Sequence, residues 1–212
     1  MSYRNSVNGP KLANHSKAIF LILSAVFFFT MMDAAAKRLT YEIGILPTIW
    51  ARYVGQAIIV FAILAPRLST IAKTNYPRLQ LARSVLLMCA TSCFFLSISK
   101  IGLAEATAIM NVNPVLITLG AFLFLGEKIG LRRIIGILFS LFGAMIIIGP
   151  GTSTFTIFAI MPLLSAICFA AYSITTRFIG KNEDPATSLL YTAICGAVVF
   201  SLLVPKIEKL QV

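Results

Sequence analysis

Residues 100–151 decide the fold, and they have the sequence KIGLAEATAIMNVNPVLITLGAFLFLGEKIGLRRIIGILFSLFGAMIIIGPG. Two long apolar runs lie on either side of a short charged turn, GEK, at residues 126–128. A membrane-spanning helix needs about 20 mostly apolar residues, and each run approaches that length. The stretch therefore predicts two helices that cross a bilayer in opposite directions.

The rest of the chain has the same character. Of its 212 residues, 58% are hydrophobic and only 12% are charged, whereas soluble domains carry roughly 25% charged residues. Seven apolar segments are about long enough to span a membrane, and they are residues 18–36, 46–65, 84–99, 106–125, 134–149, 155–176 and 189–204. The chain is therefore predicted to be an all-α integral membrane protein, a multi-pass bundle with seven transmembrane helices in contact with the lipid bilayer.

The positive charges predict the orientation of the chain. There are 18 Lys and Arg residues but only 7 Asp and Glu residues, and cytoplasmic loops of membrane proteins retain Lys and Arg. Twelve of the cations, including Arg83, fall on the side of the N-terminus and five on the other side, while Arg52 lies within a span. This distribution predicts a protein of the cytoplasmic (inner) membrane with its N-terminus in the cytoplasm.

Several function classes are excluded by what the sequence lacks. No run of Lys or Arg is longer than a pair, so nucleic acid is not an expected partner. The single histidine, His15, and the four cysteines within apolar runs offer no metal-ligand spacing and no His-based triad. No G-x-x-x-x-G-K-[ST] loop for nucleotide occurs. We therefore expect neither an enzyme nor a bound cofactor.

A seven-helix photoreceptor is also disfavoured, because a retinal Schiff base needs a Lys in the last span. Residues 189–204 contain no Lys. The count of seven spans therefore does not by itself indicate a receptor.

Features of the first two spans recur in the last two at an offset of 138 to 139 residues. Residues 37–39 fall on residues 176–178, Pro47 falls on Pro185, and Pro66 falls on Pro205. A unit that starts at the first span and recurs at the sixth contains five helices, so its second copy lies inverted in the membrane, as in many secondary transporters. We expect a cytoplasmic tail at residues 1–17, a first repeat at residues 18–149 and part of a second repeat at residues 155–204.

The stretch 100–151 resembles the end of an EamA domain, because a polar turn precedes a helix with a central Pro, a G-E-[KR] turn and a Gly-containing helix. MMDAAAKRL at residues 31–39 and WARY at residues 50–53 resemble the first two helices of the same family, the drug/metabolite transporter superfamily. The resemblance implies a secondary active transporter of ten helices, in a five-plus-five inverted repeat, that moves small metabolites by alternating access. Because seven of these ten helices are present, the alternative is a truncated, non-transporting fragment or a subunit that needs a partner chain.

Charged residues inside the spans are the first candidates for substrate binding, because each costs at least about 2.5 kcal/mol to insert. Asp33 lies about three residues from the outer end of the first span, and Arg52 lies about six residues into the second. Antiparallel packing of these spans would bring the two together, and Lys37 shares the helix face of Asp33. The set predicts either an anchor for a polar substrate in an outward-opening cavity or an ion pair that fixes helix packing.

Pro114 predicts a break in the fourth span, because its ring leaves a backbone carbonyl without a helical partner. Asn111 and Asn113 lie just before it. They are predicted either to line a substrate site at a broken helix or to stabilise the kink locally.

Aromatic residues complete the predicted substrate site. Trp50 and Tyr53 flank Arg52 and either stack on a substrate or anchor the helix at the membrane interface. Tyr172 is the repeat counterpart of Asp33 and either faces the cavity or packs against a neighbour.

Small residues recur every four positions in the fifth span, at Gly136, Ser140 and Ala144. Such a face lets another helix approach closely. It predicts close packing either within one chain or between two chains of a homodimer, and the sequence does not decide between them.

Overall fold

The structure, a computed structural model, describes residues 9–126, 130–148, 157–180 and 183–208. Its helices are α1 (Gly9–Ile43), α2 (Ile45–Leu64), α3 (Leu68–Ile71), α4 (Pro77–Lys100), α5 (Leu103–Met110), α6 (Asn113–Leu125), α7 (Leu131–Ile148), α8 (Ile160–Ile179) and α9 (Pro185–Glu208). Single 3-10 turns lie at Ala65–Arg67 and Ile157–Ala159. Within these ranges the chain forms no β-strand.

Among the described residues, six stretches of helix are long and apolar enough to cross a bilayer, and they are Ser16–Ile43, Ile45–Ile71, Pro77–Lys100, Leu103–Phe124, Ile160–Ile179 and Pro185–Pro205. A shorter apolar stretch, Ile134–Gly143, lies in α7 at the position of the predicted fifth span. The prediction of an all-α, multi-pass membrane protein is therefore confirmed.

The first helix is longer than its apolar stretch. It continues to Ile43, where Arg38 and Glu42 form an ion pair one turn apart, with Nε and Oε1 separated by 3.0 Å. It stops at Gly44, whose φ of 88° is readily adopted by glycine. Asp33 therefore lies ten residues before the end of α1, roughly 15 Å at 1.5 Å per residue, and not about three residues as the sequence predicted.

The helix α4 corresponds to the predicted third span, but it begins at Pro77 instead of residue 84. Arg83 consequently lies inside a span, and its assignment to a cytoplasmic loop was wrong. An arginine next to an apolar run can belong either to the first turns of the helix or to the loop before it. The apolar pattern alone does not distinguish these two positions. Hydrogen bonds to α8 and α9 replace the water that Arg83 would have in a loop.

The fourth span is interrupted just before Pro114. α5 ends at Met110, and α6 begins at Asn113. Because the proline has no N–H, it is tolerated in the first turn of the new helix. The break divides this span, Leu103–Phe124, into two shorter helices.

The fourth helix lies at the centre of the bundle. It packs along α8 and also contacts α9, α1 and α2. Ser165 of α8 donates a hydrogen bond from Oγ to the carbonyl oxygen of Ala90 on α4, at 2.6 Å. Small residues at such a crossing let two helices approach closely. The pair α4 and α8 therefore forms the central contact of the bundle.

The second helix packs along α9 through aromatic side chains. The ring of Tyr53 stacks on that of Phe200, with centroids 5.3 Å apart and planes at 11°. The Tyr53 ring also lies directly against Gly196, where an added Cβ would be 2.1 Å from Cδ1 of Tyr53. Because Tyr53 is only 1% exposed, its ring has no space to move aside.

Two earlier predictions fall partly outside the described residues. The side chains of Ser140 and Ala144 on α7 are among those not described, so the homodimer stays a prediction. Residues 1–8 of the predicted tail also lie outside the described ranges, whereas residues 9–17 form the start of α1.

We predict that Gly196→Ala destabilises the protein by about 1–3 kcal/mol, because the added methyl group overpacks the contact between α2 and α9. The matched control is Gly55→Ala on α2, whose added Cβ would meet nothing within 4 Å. Replacing a helical glycine by alanine is otherwise stabilising by up to about 1 kcal/mol. Thermal unfolding in detergent measures both variants, and equal unfolding temperatures would contradict the proposed close contact.

Candidate functional site

A cavity of about 320 Å³ lies between α1, α2, α4, α5 and α8. Ligand pockets are typically about 300–1,000 Å³, so its volume suits a small molecule. Most of its wall is apolar, and the large apolar side chains in the wall are Phe29, Met32, Leu87, Phe94, Met110 and Phe169. The polar side chains in the wall are Asp33, Arg52, Thr91, Thr107 and Ser165.

Two of the predicted site residues, Asp33 and Arg52, line this cavity together. They come from adjacent helices, since Asp33 lies in the second half of α1 and Arg52 lies seven residues into α2. No salt bridge within 4.0 Å joins them. The cavity therefore contains one cation and one anion whose charged atoms are not in direct contact.

Aromatic packing positions the guanidinium of Arg52. Its Cζ atom lies 5.6 Å from the ring centroid of Phe95, a fully buried residue of α4. A cation over an aromatic face is stabilised by about 0.5–2 kcal/mol. The contact supports the charge within the membrane without a carboxylate, which leaves guanidinium N–H groups available to a ligand.

Trp50 and Tyr53 do not line the cavity but connect α2 to its neighbours. Nε1 of Trp50 donates a hydrogen bond to Oγ of Ser201 on α9, at 2.9 Å. The hydroxyl of Tyr53 donates to Oγ1 of Thr91 on α4, at 3.2 Å. Thr91 is itself part of the cavity wall, so Tyr53 holds a residue of the wall without lining the cavity.

Lys37 and the two asparagines also lie outside the cavity wall. Lys37 is half-buried, one turn beyond Asp33 on α1. Asn111 is exposed at the break between α5 and α6, while the Oδ1 atom of Asn113 is buried and has no hydrogen-bond partner in the described part of the chain. Of this interrupted span, α5 supplies Thr107 and Met110 to the cavity wall.

The sequence analysis missed the small polar residues of the wall, Thr91, Thr107 and Ser165. Single hydroxyls are common in apolar spans, where they bond to the carbonyl one turn back. Thr107 does so, since its Oγ1 donates to the carbonyl oxygen of Leu103 at 2.6 Å. No local pattern separates the hydroxyls that face a cavity from those that do not.

Tyr172 does not reach the cavity but binds Arg83, which is only 4% exposed. Nη2 of Arg83 donates to the Tyr172 hydroxyl at 2.8 Å, and Cζ of Arg83 lies 4.6 Å from the centroid of that ring. Nε donates to Oγ1 of Thr176 at 2.6 Å, and Nη1 donates to the carbonyl oxygen of Ser188 at 2.9 Å. Among the described residues, no carboxylate lies within 4.0 Å of Arg83.

A second polar cluster surrounds Glu183, in the loop between α8 and α9. Its carboxylate accepts hydrogen bonds from Oγ1 of Thr74 at 2.6 Å, from the backbone N–H of Asn75 at 2.7 Å and from Nε2 of Gln80 at 2.9 Å. Desolvation raises the pKa of Glu183, but these hydrogen bonds outweigh it and the net pKa is lowered. Gln80 also exchanges hydrogen bonds with the hydroxyl of Ser188, at 3.2 Å.

The side chains of the cavity wall are suited to binding a small molecule. Within the described ranges, no three His, Cys, Asp or Glu side chains lie close enough together to hold a metal ion. An apolar wall with one cation and one anion suits a small molecule that has both an apolar body and polar groups.

Comparison with known proteins gives the family. Residues 16–149 match the model of the EamA-like transporter family. A riboflavin transporter of Rhizobium johnstonii is 28% identical over 180 residues, which cover 84% of this chain and 59% of that protein. A riboflavin transporter of Vibrio cholerae is 26% identical over 176 residues, covering 80% and 58% respectively.

The pseudopaline exporter CntI of Pseudomonas aeruginosa is 26% identical over 182 residues, which cover 85% of this chain and 64% of the exporter. The chain thus spans less than two thirds of the length of these relatives. No solved structure matches the chain significantly. Because the family model covers more than half of the sequence and the structure is a bundle of apolar helices, this chain belongs to the EamA-like transporter family.

Proposed function

We propose that this protein is a secondary active transporter that moves small metabolites across the cytoplasmic membrane by alternating access. The observation that carries the proposal is the cavity that contains Asp33 and Arg52 within the membrane-spanning helices. Ionisable groups at that depth are costly, and they mark substrate or ion pathways in membrane proteins. The names of the relatives, riboflavin transporter and pseudopaline exporter, support small organic molecules as the cargo.

The proposed roles follow from the chemistry of the wall. Arg52 binds an anionic or hydrogen-bond-accepting group of the substrate, and Asp33 balances its charge when the cavity is empty. The aromatic side chains Phe94 and Phe169 contact the apolar part of the substrate. We also propose that the N-terminus is cytoplasmic and that α8 and α9 are inverted counterparts of α1 and α2, as their order and shared features support.

We predict that Arg52→Ala lowers transport by at least about tenfold, since a hydrogen bond to a charged group contributes roughly 1.5–3 kcal/mol. The measurement is uptake of radiolabelled riboflavin, as a first probe, into vesicles that contain equal amounts of each variant. The matched control is Arg38→Ala, because Arg38 is exposed near the end of α1 and pairs with Glu42. Full transport by Arg52→Ala, with normal membrane insertion, would show that Arg52 is not the anchor.

Asp33 is the candidate for coupling transport to a proton gradient. We predict that Asp33→Asn abolishes the stimulation of uptake by an imposed pH gradient, because an amide side chain, unlike a carboxylate, does not bind and release a proton at physiological pH. Glu42→Gln is the control, as it removes a carboxylate from an exposed position on the same helix. Stimulation that persists in Asp33→Asn would rule out Asp33 as the coupling group.

A second candidate function, that of a subunit which needs a partner chain, is favoured by the exposure of α1. At the 139-residue offset, Val26 and Phe27 correspond to Ser165 and Ala166 of α8. The α8 residues are both 0% exposed, whereas Val26 and Phe27 are 57% and 62% exposed. In an inverted repeat, the helices that cover this face of α1 would be later helices of the second copy.

Reconstitution separates the two candidates. We expect the purified chain, alone in liposomes, to take up the probe saturably. Uptake that appears only after co-expression with the remaining C-terminal helices of a relative would favour the subunit. A folded chain that takes up neither riboflavin nor any other labelled metabolite in either condition would contradict both proposals.

A further inference from the structure

The two polar clusters around Arg83 and Glu183 form one continuous contact, which we call the polar seam. It joins Thr74, Asn75, Gln80 and Arg83 on one side to Tyr172, Thr176, Glu183, Ser188 and Thr192 on the other. The first group belongs to α4 and the loop before it. The second group belongs to α8, α9 and the loop between them.

The polar seam lies next to the cavity along the same helices. On α4, Arg83 precedes the cavity residue Leu87 by one helical turn. On α8, Tyr172 follows the cavity residue Phe169 by three positions, and their rings are 5.5 Å apart. In the proposed orientation, the polar seam therefore separates the cavity from the cytoplasmic ends of α4, α8 and α9.

The burial of Arg83 is difficult to explain by stability alone. A cation taken out of water is costly, and here neutral oxygens and one aromatic ring take the place of a carboxylate. Close van der Waals packing of small and apolar residues also joins helices within a membrane. A contact made of polar groups has a different property, because each donor and acceptor can bond to water after the helices separate, so the net loss for each bond to a charged group is limited to roughly 1.5–3 kcal/mol.

The contact between α2 and α9 is the opposite case. It consists mainly of buried apolar and aromatic side chains, including Ile49, Tyr53 and Phe200, with the exposed hydrogen bond from Trp50 to Ser201 at its edge. Separating these surfaces would expose them to water without any compensating bond. The bundle thus combines an apolar contact that resists opening with a polar contact that hydrates readily.

We propose that the polar seam is the cytoplasmic gate of the cavity, held closed by the hydrogen bonds of Glu183 and Arg83 and opened by their exchange for water. The inference rests on the proposed transport function, in which the cavity must open to each side in turn. Glu183 holds the loop between α8 and α9 against the start of α4. Arg83 holds the same helices one turn deeper.

The test measures access to the cavity and does not require transport. In a background without the four native cysteines, Leu87→Cys reports on the cavity wall nearest the polar seam. Inside-out vesicles are exposed to a membrane-impermeant maleimide. We expect slow labelling when the polar seam is intact and labelling at least about fivefold faster after Glu183→Ala.

The matched control is Asp184→Ala. Asp184 is the adjacent carboxylate in the same loop, but its Oδ1 accepts a hydrogen bond from the backbone N–H of Ala186 and takes no part in the polar seam. We expect its labelling rate to equal that of the parent. Equal rates for Glu183→Ala and the parent would overturn the proposal, as would an equal increase for Asp184→Ala.

A second variant covers the case in which Glu183→Ala does not fold. Gln80→Glu keeps the size of the side chain but places a second carboxylate where Nε2 now lies 2.9 Å from Glu183. Repulsion should open the polar seam and raise the labelling rate, and an unchanged rate would count against the gate. Faster labelling of the variants, with a parent protein that takes up neither riboflavin nor any other labelled metabolite, would leave the gate standing and refute the proposed function. Normal uptake by the parent with unchanged labelling of the variants would do the reverse.

Discussion

The hydrocarbon core of a bilayer holds no water, and this constraint governs every level of the structure. Each backbone polar group must find its partner within the chain, so the spans are helices. Side-chain hydroxyls obey the same rule. Thr40 and Ser84 each donate to the carbonyl oxygen one turn back, at 2.8 and 2.9 Å. Such bonds give a hydroxyl inside the membrane a partner, whereas the buried Oδ1 of Asn113 has none among the described residues.

Charges obey the constraint in two different ways in this protein. Arg83 is enclosed by hydroxyl and carbonyl oxygens and by the ring of Tyr172. Arg52 lies over Phe95 and borders a cavity that it shares with Asp33. The guanidinium of Arg83 donates its hydrogen bonds to neighbouring helices. The guanidinium of Arg52 retains N–H donors for a ligand. This difference is the basis of the proposed roles, substrate binding for Arg52 and closure of the bundle for Arg83.

The sequence analysis succeeded where the evidence is local. The apolar runs predicted the helices, and Pro114 predicted the break in the fourth span, because hydropathy and proline geometry act within a few residues. It placed Asp33 too near the end of α1, because the charged residues that follow continue the helix. It placed Arg83 in a loop for a related reason, since its partners Thr176 and Ser188 are about a hundred residues away in the chain.

The sequence by itself determined the membrane location, the helical class and the family, since composition and motif order carry that information. It also singled out Asp33 and Arg52, because charges inside apolar spans are conspicuous without any coordinates. Only the tertiary structure decided that Thr91, Thr107 and Ser165 line the cavity and that Arg83 and Glu183 lie in one polar seam. The physical reason is that a hydroxyl or guanidinium takes its role from the groups it contacts, and helix packing brings those groups together from distant parts of the chain.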